Sequence, residues 1–235
     1  MDDSKYEYST FSDCCDPVWR ESGNYVLRGN LLHLKISTKT LNDYNMLDPE
    51  QAAEAYRKIY KREKNPAQSS EIQTGYDLQI VRWGERIYLL EPDRINLFTA
   101  AVNFGIEPRQ GNINRNYVTS RLFLRLGDAD KPVVGKPVLP EPWNSYLLVS
   151  PIKAVVTKIE FQNQEKIYTV DKGSTDGMKV DMFLIGENTK PEHDDLLKVI
   201  AVKENSATLK SSPVFRAPKY QSGDTLITKT IKNPR

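Results

Sequence analysis

The sequence predicts an α+β fold that is mostly β: an antiparallel sheet with two helices over residues 1–150, then a small all-β barrel or sandwich over 151–235. Three observations carry this. Two hairpin signals, Gly29-Asn30 and Gly84-Glu85, each stand between runs of alternating apolar residues. Pro132, Pro137, Pro140, Pro142 and Pro151 crowd into one stretch, which breaks regular structure and stiffens the chain. After Pro151 six short strand-like runs follow, separated by turn signals, a spacing suited to a small antiparallel barrel or sandwich.

In chain order, residues 24–37 place Tyr25, Leu27, Leu32, Leu34 and Ile36 on alternating positions around Gly29-Asn30, with His33 on the opposite, solvent-facing parity. Residues 48–64 read as a helix with Asp48 as N-cap and Pro49 at the first helical position. Ala52, Ala53, Tyr56, Ile59 and Tyr60 form its apolar stripe, and Lys61, Arg62 and Lys64 offset the dipole at its end. Residues 76–90 form the second hairpin, whose Gly84-Glu85 suits a type II′ turn. A second helix, 93–105, is capped by Asp93 and ended by Gly105, with Ile95, Phe98, Ala101 and Val102 facing a sheet. Residues 117–126 alternate as a strand, Val118, Leu122, Leu124 and Leu126 on one face and Arg121 and Arg125 on the other. Within the proline-rich stretch, 143–150 reads as a short strand, so that this linker packs onto the first domain.

Composition excludes little. Hydrophobic residues make up 39% and charged residues 27%, and the formal charge is +2, so nothing demands nucleic acid or an anionic membrane as partner. No apolar run approaches the ~20 residues of a membrane span. The first residues, "MDDSKYEYSTFSDCCDPVW", are too acidic and polar for a signal peptide, which leaves open a longer precursor. Cys14 and Cys15 are adjacent; they read as two plain thiols, or as one thiol bridging to another chain, and do not decide the compartment.

The stretch "YTVDKGSTDGMKVDMFLIG" (168–186) poses the sharpest chemical question. A phosphate-gripping loop needs four residues between its glycines, then Lys and Ser or Thr, then a helix. Here Gly173 and Gly177 have only three between them, Met178 precedes Lys179, Val180 stands where the hydroxyl belongs, and the next run is strand-like. For a calcium loop, Asp176 fits but Ser174 and Lys172 hold the two earlier ligand positions. The reading is a tight turn, with both glycines in conformations closed to other residues.

Elsewhere, His193 sits with Glu192, Asp194 and Asp195 in a charged loop that suits at most weak metal binding and reads as no specific site, since three consecutive side chains rarely converge on one ion. The cations of 57–64 read as a solvated helix face. No Gly-x-Ser-x-Gly elbow occurs. The polar loop 103–117 reads as a solvated connector or, through Arg109, Gln110, Asn112, Asn114 and Arg115, as a ligand-binding loop. It is the first place to look for a pocket.

The pattern "VDKGSTDGMKVDMFLI" resembles the glycine turn of small β-barrels in bacterial cell-envelope and assembly proteins, such as the rod-shape protein MreC and flagellar or curli accessory factors. Val170, Gly173 and Gly177 match that pattern; Met178 stands for its valine and Asp181 for its third glycine. Downstream, "KVIAVKENSATLKS" and "QSGDTLITK" resemble the rest of such a barrel, so the likeness covers the last third of the chain. The opening "YVLRGNLLHLKI" is similar to the first hairpin of lipocalin-like exported bacterial proteins. The barrel resemblance implies a packing or assembly module without catalytic residues.

The expectation is therefore a non-enzymatic binding or assembly module of the bacterial envelope, periplasmic or envelope-associated and otherwise cytoplasmic. Its expected partner is another protein or an envelope component, with no nucleic acid, no transmembrane segment in this chain, no cofactor and no metal. The competing readings are a hydrolase with dispersed carboxylates in the first domain and a cytosolic regulatory or nucleic-acid-associated protein.

Overall fold

The computed structural model describes residues 4–10, 19–41, 75–106, 108, 122–125, 127–163, 165–189, 196–211 and 220–230. The helix expected over 48–64, Cys14 and Cys15, His193 with its acidic neighbours, and residues 117–121 of the expected strand lie outside them. The chain divides into two compact units, Met1–Ile80 and Val81–Arg235.

The first unit is an antiparallel ribbon. β1 (Ser4–Thr10), β2 (Trp19–Arg28), β3 (Leu31–Leu41) and the beginning of β4 (Gly75–Trp83) are neighbours in that order. The hairpin forms where the sequence places it: Tyr25 faces Leu34 and Leu27 faces Leu32, with Gly29 at φ 62° between them. Leu34, Ile36, Tyr76 and Leu78 are buried. The Gln79 side chain and the Ile80 N–H both donate to the Asn30 carbonyl, tying the turn to β4. His33 is half-exposed, and its Nδ1 lies 2.7 Å from Asp77 Oδ1. Gly23 sits where the β2–β3 register shifts; a Cβ there would lie 1.9 Å from the Lys35 carbonyl oxygen, so only glycine fits.

The second unit begins with residues 81–83 of β4, which turn at Gly84 (φ 58°) into β5 (Arg86–Leu90). A single 3₁₀ turn, Pro92–Arg94, leads into α1 (Ile95–Phe104), and β6 (Leu122–Leu124) pairs antiparallel with β5. Asp93 is not the helix cap expected of it: it belongs to the 3₁₀ turn, and Arg94 stands at the cap position with no side-chain capping bond. Proline at the start of that turn sets the backbone one turn early. Gly105 ends the helix at φ 69°, as read from the sequence.

Residues 143–150 do not form the expected strand. Trp143–Tyr146 is a 3₁₀ turn, closed by Trp143 N–H to the Pro140 carbonyl, Ser145 N–H to that of Pro142 and Leu147 N–H to that of Asn144. Proline carries no N–H to give a strand ladder, and Asn144 Oδ1 accepts the Leu139 N–H, so this segment satisfies its polar groups locally.

All six C-terminal strand runs form strands: β7 (Lys153–Gln162), β8 (Glu165–Val170), β9 (Phe183–Gly186), β10 (Leu197–Val202), β11 (Ala207–Ser211) and β12 (Thr225–Ile227). They close as an antiparallel barrel in the order β10-β11-β8-β7-β12-β9, with β9 pairing back onto β10. Side chains fill its interior, among them Val156, Tyr168, Val170, Leu184, Leu197, Val199, Leu209 and Leu226, with Met178 and Met182.

Strand β9 is buried on both faces. Leu184 points into the barrel, whereas Phe183 and Ile185 pack outward with Ala100, Ala101 and Phe104 of α1. The same helix buries Ile95 and Phe98 against Val81, Tyr88, Leu90 and Leu122. Phe98 makes edge-on contact with Tyr88 at 5.4 Å between ring centroids. α1 therefore joins the β4–β6 layer to the barrel wall. Each of its fully buried large side chains contributes about 1.5–3 kcal/mol of transfer free energy.

Candidate functional site: glycine turn and ligand cleft

The glycine turn connects β8 to β9. It forms a 3₁₀ turn, Ser174–Asp176, between Gly173 and Gly177, and no α-helix follows it. Six consecutive backbone N–H groups, those an anion would need, are already bonded. Gly173 donates to Asp176 Oδ2, Ser174 to the Lys203 carbonyl, and Thr175 to the Glu204 carbonyl. Asp176 and Met178 donate to the Gly173 carbonyl, and Gly177 to that of Ser174. The three aspartates of the stretch are likewise engaged. Asp171 Oδ1 accepts the Val155 N–H at 2.7 Å, Asp176 meets Lys172 at 3.1 Å, and Asp181 meets Lys198 at 2.6 Å. The Gly173 N–H, helped by Lys172, holds the Asp176 carboxyl below its ordinary value. Among the described residues, no group of three His, Cys, Asp or Glu side chains is placed to hold a metal ion.

The two glycines serve different needs. Gly177 takes φ 87°, the left-handed region expected of it. Gly173 does not: at φ −134° its backbone is open to any residue, which corrects the sequence reading. It is glycine for want of space, since a Cβ would lie 2.3 Å from the Lys203 carbonyl oxygen, 2.4 Å from that of Glu204 and 2.5 Å from Ser206 N. Asp181 takes φ 69°, a left-handed position that aspartate tolerates.

Lys179, the cation nearest to a phosphate-loop pattern, instead lies 5.2 Å over the Tyr146 ring and donates to the Ser145 carbonyl. Tyr146 donates its hydroxyl to the Val180 carbonyl at 2.9 Å, and burial, then the Asp181 charge, pushes its pKa up. The 143–146 turn is thus strapped to the glycine turn.

One carboxylate, Asp128, is buried among the described residues. Lys131 lies 2.8 Å from Oδ1, Arg125 Nε 3.0 Å from Oδ2, and the Ile87 N–H donates to Oδ2 at 2.9 Å. Lys131 first, then Arg125 and the Ile87 N–H, hold this carboxyl well below the usual carboxylate range despite its burial. A depressed folded pKa stabilises the fold above the unfolded value of 3.8, and this stabilisation is lost as pH falls through and below that value. Asp128→Asn is accordingly expected to lower the melting temperature at neutral pH. The gap to wild type should narrow as thermal melts are taken from about pH 7 down to about pH 3.

A cleft of about 830 Å³ opens in the second unit, lined by the apolar Trp83, Val102, Ile106, Val133 and Val149 and by polar residues that include Lys229 and Thr230. Trp83 is fixed by its indole N–H, which donates to the Gly135 carbonyl at 2.9 Å. Buried Asn103 donates to the Tyr146 carbonyl at 2.8 Å and accepts the Leu148 N–H at 3.0 Å, which positions the 146–148 backbone. Lys229 Nζ donates to the Leu148 carbonyl at 2.6 Å, and Lys136 Nζ, outside the cleft lining, donates to that of Leu147 at 3.2 Å. Burial, then the Lys136 charge, pushes the Lys229 pKa down.

Asn103 and Ile106, from the start of the polar loop singled out in the sequence, line the cleft. Arg109, Gln110, Asn112, Asn114 and Arg115 lie outside the described residues. Sequence reasoning missed Asp128, Lys136 and Lys229. For Asp128 the signal was local, since its partners Arg125 and Lys131 stand three residues to either side; Lys136 and Lys229 are single charges that only the fold brings to the Leu147 and Leu148 carbonyls. No helix among the described residues is long and apolar enough to cross a membrane. No protein-family model, curated protein or solved structure matches the chain.

Proposed function

We propose that this chain is a non-enzymatic binding or assembly module of the bacterial cell envelope, periplasmic or envelope-associated, working with another protein or an envelope component rather than nucleic acid. The observation that carries the reading is the barrel itself. It is closed and filled by its own side chains, and its glycine turn spends its N–H groups and carboxylates on the barrel's own backbone and lysines. Asp181, which departs from the MreC-type pattern by standing at its third glycine, takes a left-handed backbone at φ 69°, a conformation open to glycine as well. The competing hydrolase reading needs a carboxylate able to exchange protons near neutral pH. Asp128 is held ionised far from that range, which speaks for a structural role.

Two measurements test the proposal. The native gene, tagged at its C-terminus and expressed in its source organism, is expected to fractionate with the envelope; recovery in the cytosol alone contradicts the envelope assignment. Purified protein is expected to turn over no chromogenic ester, phosphoester, glycoside or peptide faster than buffer. Turnover abolished by a single carboxylate substitution contradicts the non-enzymatic assignment.

A further inference from the structure

We propose that the cleft beside Lys229 is a binding site for an amphiphilic anion: a molecule with an apolar body and one carboxylate or phosphate head.

Size, wall chemistry and charge agree on this class. A volume of about 830 Å³ lies within the usual range of small-molecule sites, roughly 300–1,000 Å³. The lining is mixed: Trp83, Val102, Ile106, Val133 and Val149 offer apolar surface, and Asn103, Ser150, Thr230 and Lys229 offer polar groups, a division that suits a ligand with an apolar body and a polar head. Lys229 supplies an ammonium group to the lining, and Lys136, outside the lining, adds a second positive charge nearby; the two donate to the adjacent carbonyls of Leu148 and Leu147. Lys229 spends one N–H on its carbonyl and keeps two for a ligand. Among the described residues neither lysine has a carboxylate within ion-pair distance, and no carboxylate lines the cleft. Burial first, and then the Lys136 charge, disfavour the charged form of Lys229, and an anion seated beside Lys229 offsets both. Val149, 82% exposed, extends the apolar wall to the cleft mouth.

The inference goes beyond the assembly reading, because a ligand site here can exist whether or not the chain resides in the envelope. The test follows amide resonances of the full chain during titration with decanoate, decyl phosphate and decyltrimethylammonium, each kept below its micelle concentration. The expected result is a saturable shift of Gly105, Gly135, Ser150 and Thr230 with either anion, the tighter one naming the head group. The cation should bind at least ~10-fold more weakly. Lys136→Met with Lys229→Met should weaken decanoate ~10-fold. Val149→Glu, on an exposed side chain that cannot endanger the core, should do so too and keeps the test decisive if the double lysine variant fails to fold. Absence of saturable binding by both anions, equal binding of the cation, or unchanged affinity in Val149→Glu overturns the proposal.

Discussion

Replacing Gly173 with alanine is expected to destabilise the barrel by about 3 kcal/mol or more, a large share of the roughly 5–15 kcal/mol that keeps a domain folded. The new methyl group would meet three backbone atoms of the 203–206 turn at 2.3–2.5 Å, and none of them belongs to a flexible side chain that could swing away. The clash also breaks the bonds that Ser174 and Thr175 make to the carbonyls of Lys203 and Glu204, which hold the β8–β9 turn against the β10–β11 turn. Gly177→Ala is the control. Its nearest atom, Ile152 Cδ1, lies 3.8 Å away, so only the left-handed backbone is penalised, at about 1–2 kcal/mol. Chemical denaturation of both variants should rank Gly173→Ala clearly below Gly177→Ala. The reverse order would place the need for glycine in φ alone, as the sequence suggested.

The second large effect is expected at Leu184→Ala. Leu184 is fully buried in the barrel interior, on the strand that closes the ring, with neighbours on both sheet edges. Truncation should cost about 2–5 kcal/mol, the transfer term plus the cavity left behind. Ile200→Ala, on the neighbouring β10 but 38% exposed, should change stability by no more than about 0.5 kcal/mol. Equal losses at the two positions would contradict a barrel packed from within.

The contrast between the two glycines shows what the sequence could and could not disclose. Local signals were legible: Gly29 and Gly84 mark their hairpins, Gly105 ends α1, and the six C-terminal runs each become a strand. These features depend on the backbone preferences of a few consecutive residues. Features fixed by distant neighbours were not. Gly173 reads as a φ-driven glycine because the 203–206 turn against it is about thirty residues away in sequence. The ring order is equally hidden, since β11 joins β8 and β12 joins β7 across long stretches of chain. In α1, the stripe through Ile95 and Phe98 was visible, but Phe104 and Ala100 serve a second face that gains meaning only once β9 lies beside it.

Misreadings also have local causes. Asp93 looked like a cap because aspartate favours that role, yet Pro92 starts a 3₁₀ turn one step earlier. Residues 143–150 carry strand-like side chains, but the prolines before them deny a ladder and Asn144 offers the backbone a local partner. The candidate cleft is the least legible part. Trp83, Asn103, Val133 and Lys229 come from four separate segments, and none belongs to a motif.

The backbone donors of the glycine turn are consumed within the barrel. Amide hydrogen exchange at residues 173–178 measures this directly, with and without Mg-ATP or calcium. Protection comparable to that of β8 in the free protein, unchanged by either addition, is the predicted result. Fast exchange in the free protein that becomes slow when nucleotide or calcium is added would contradict it.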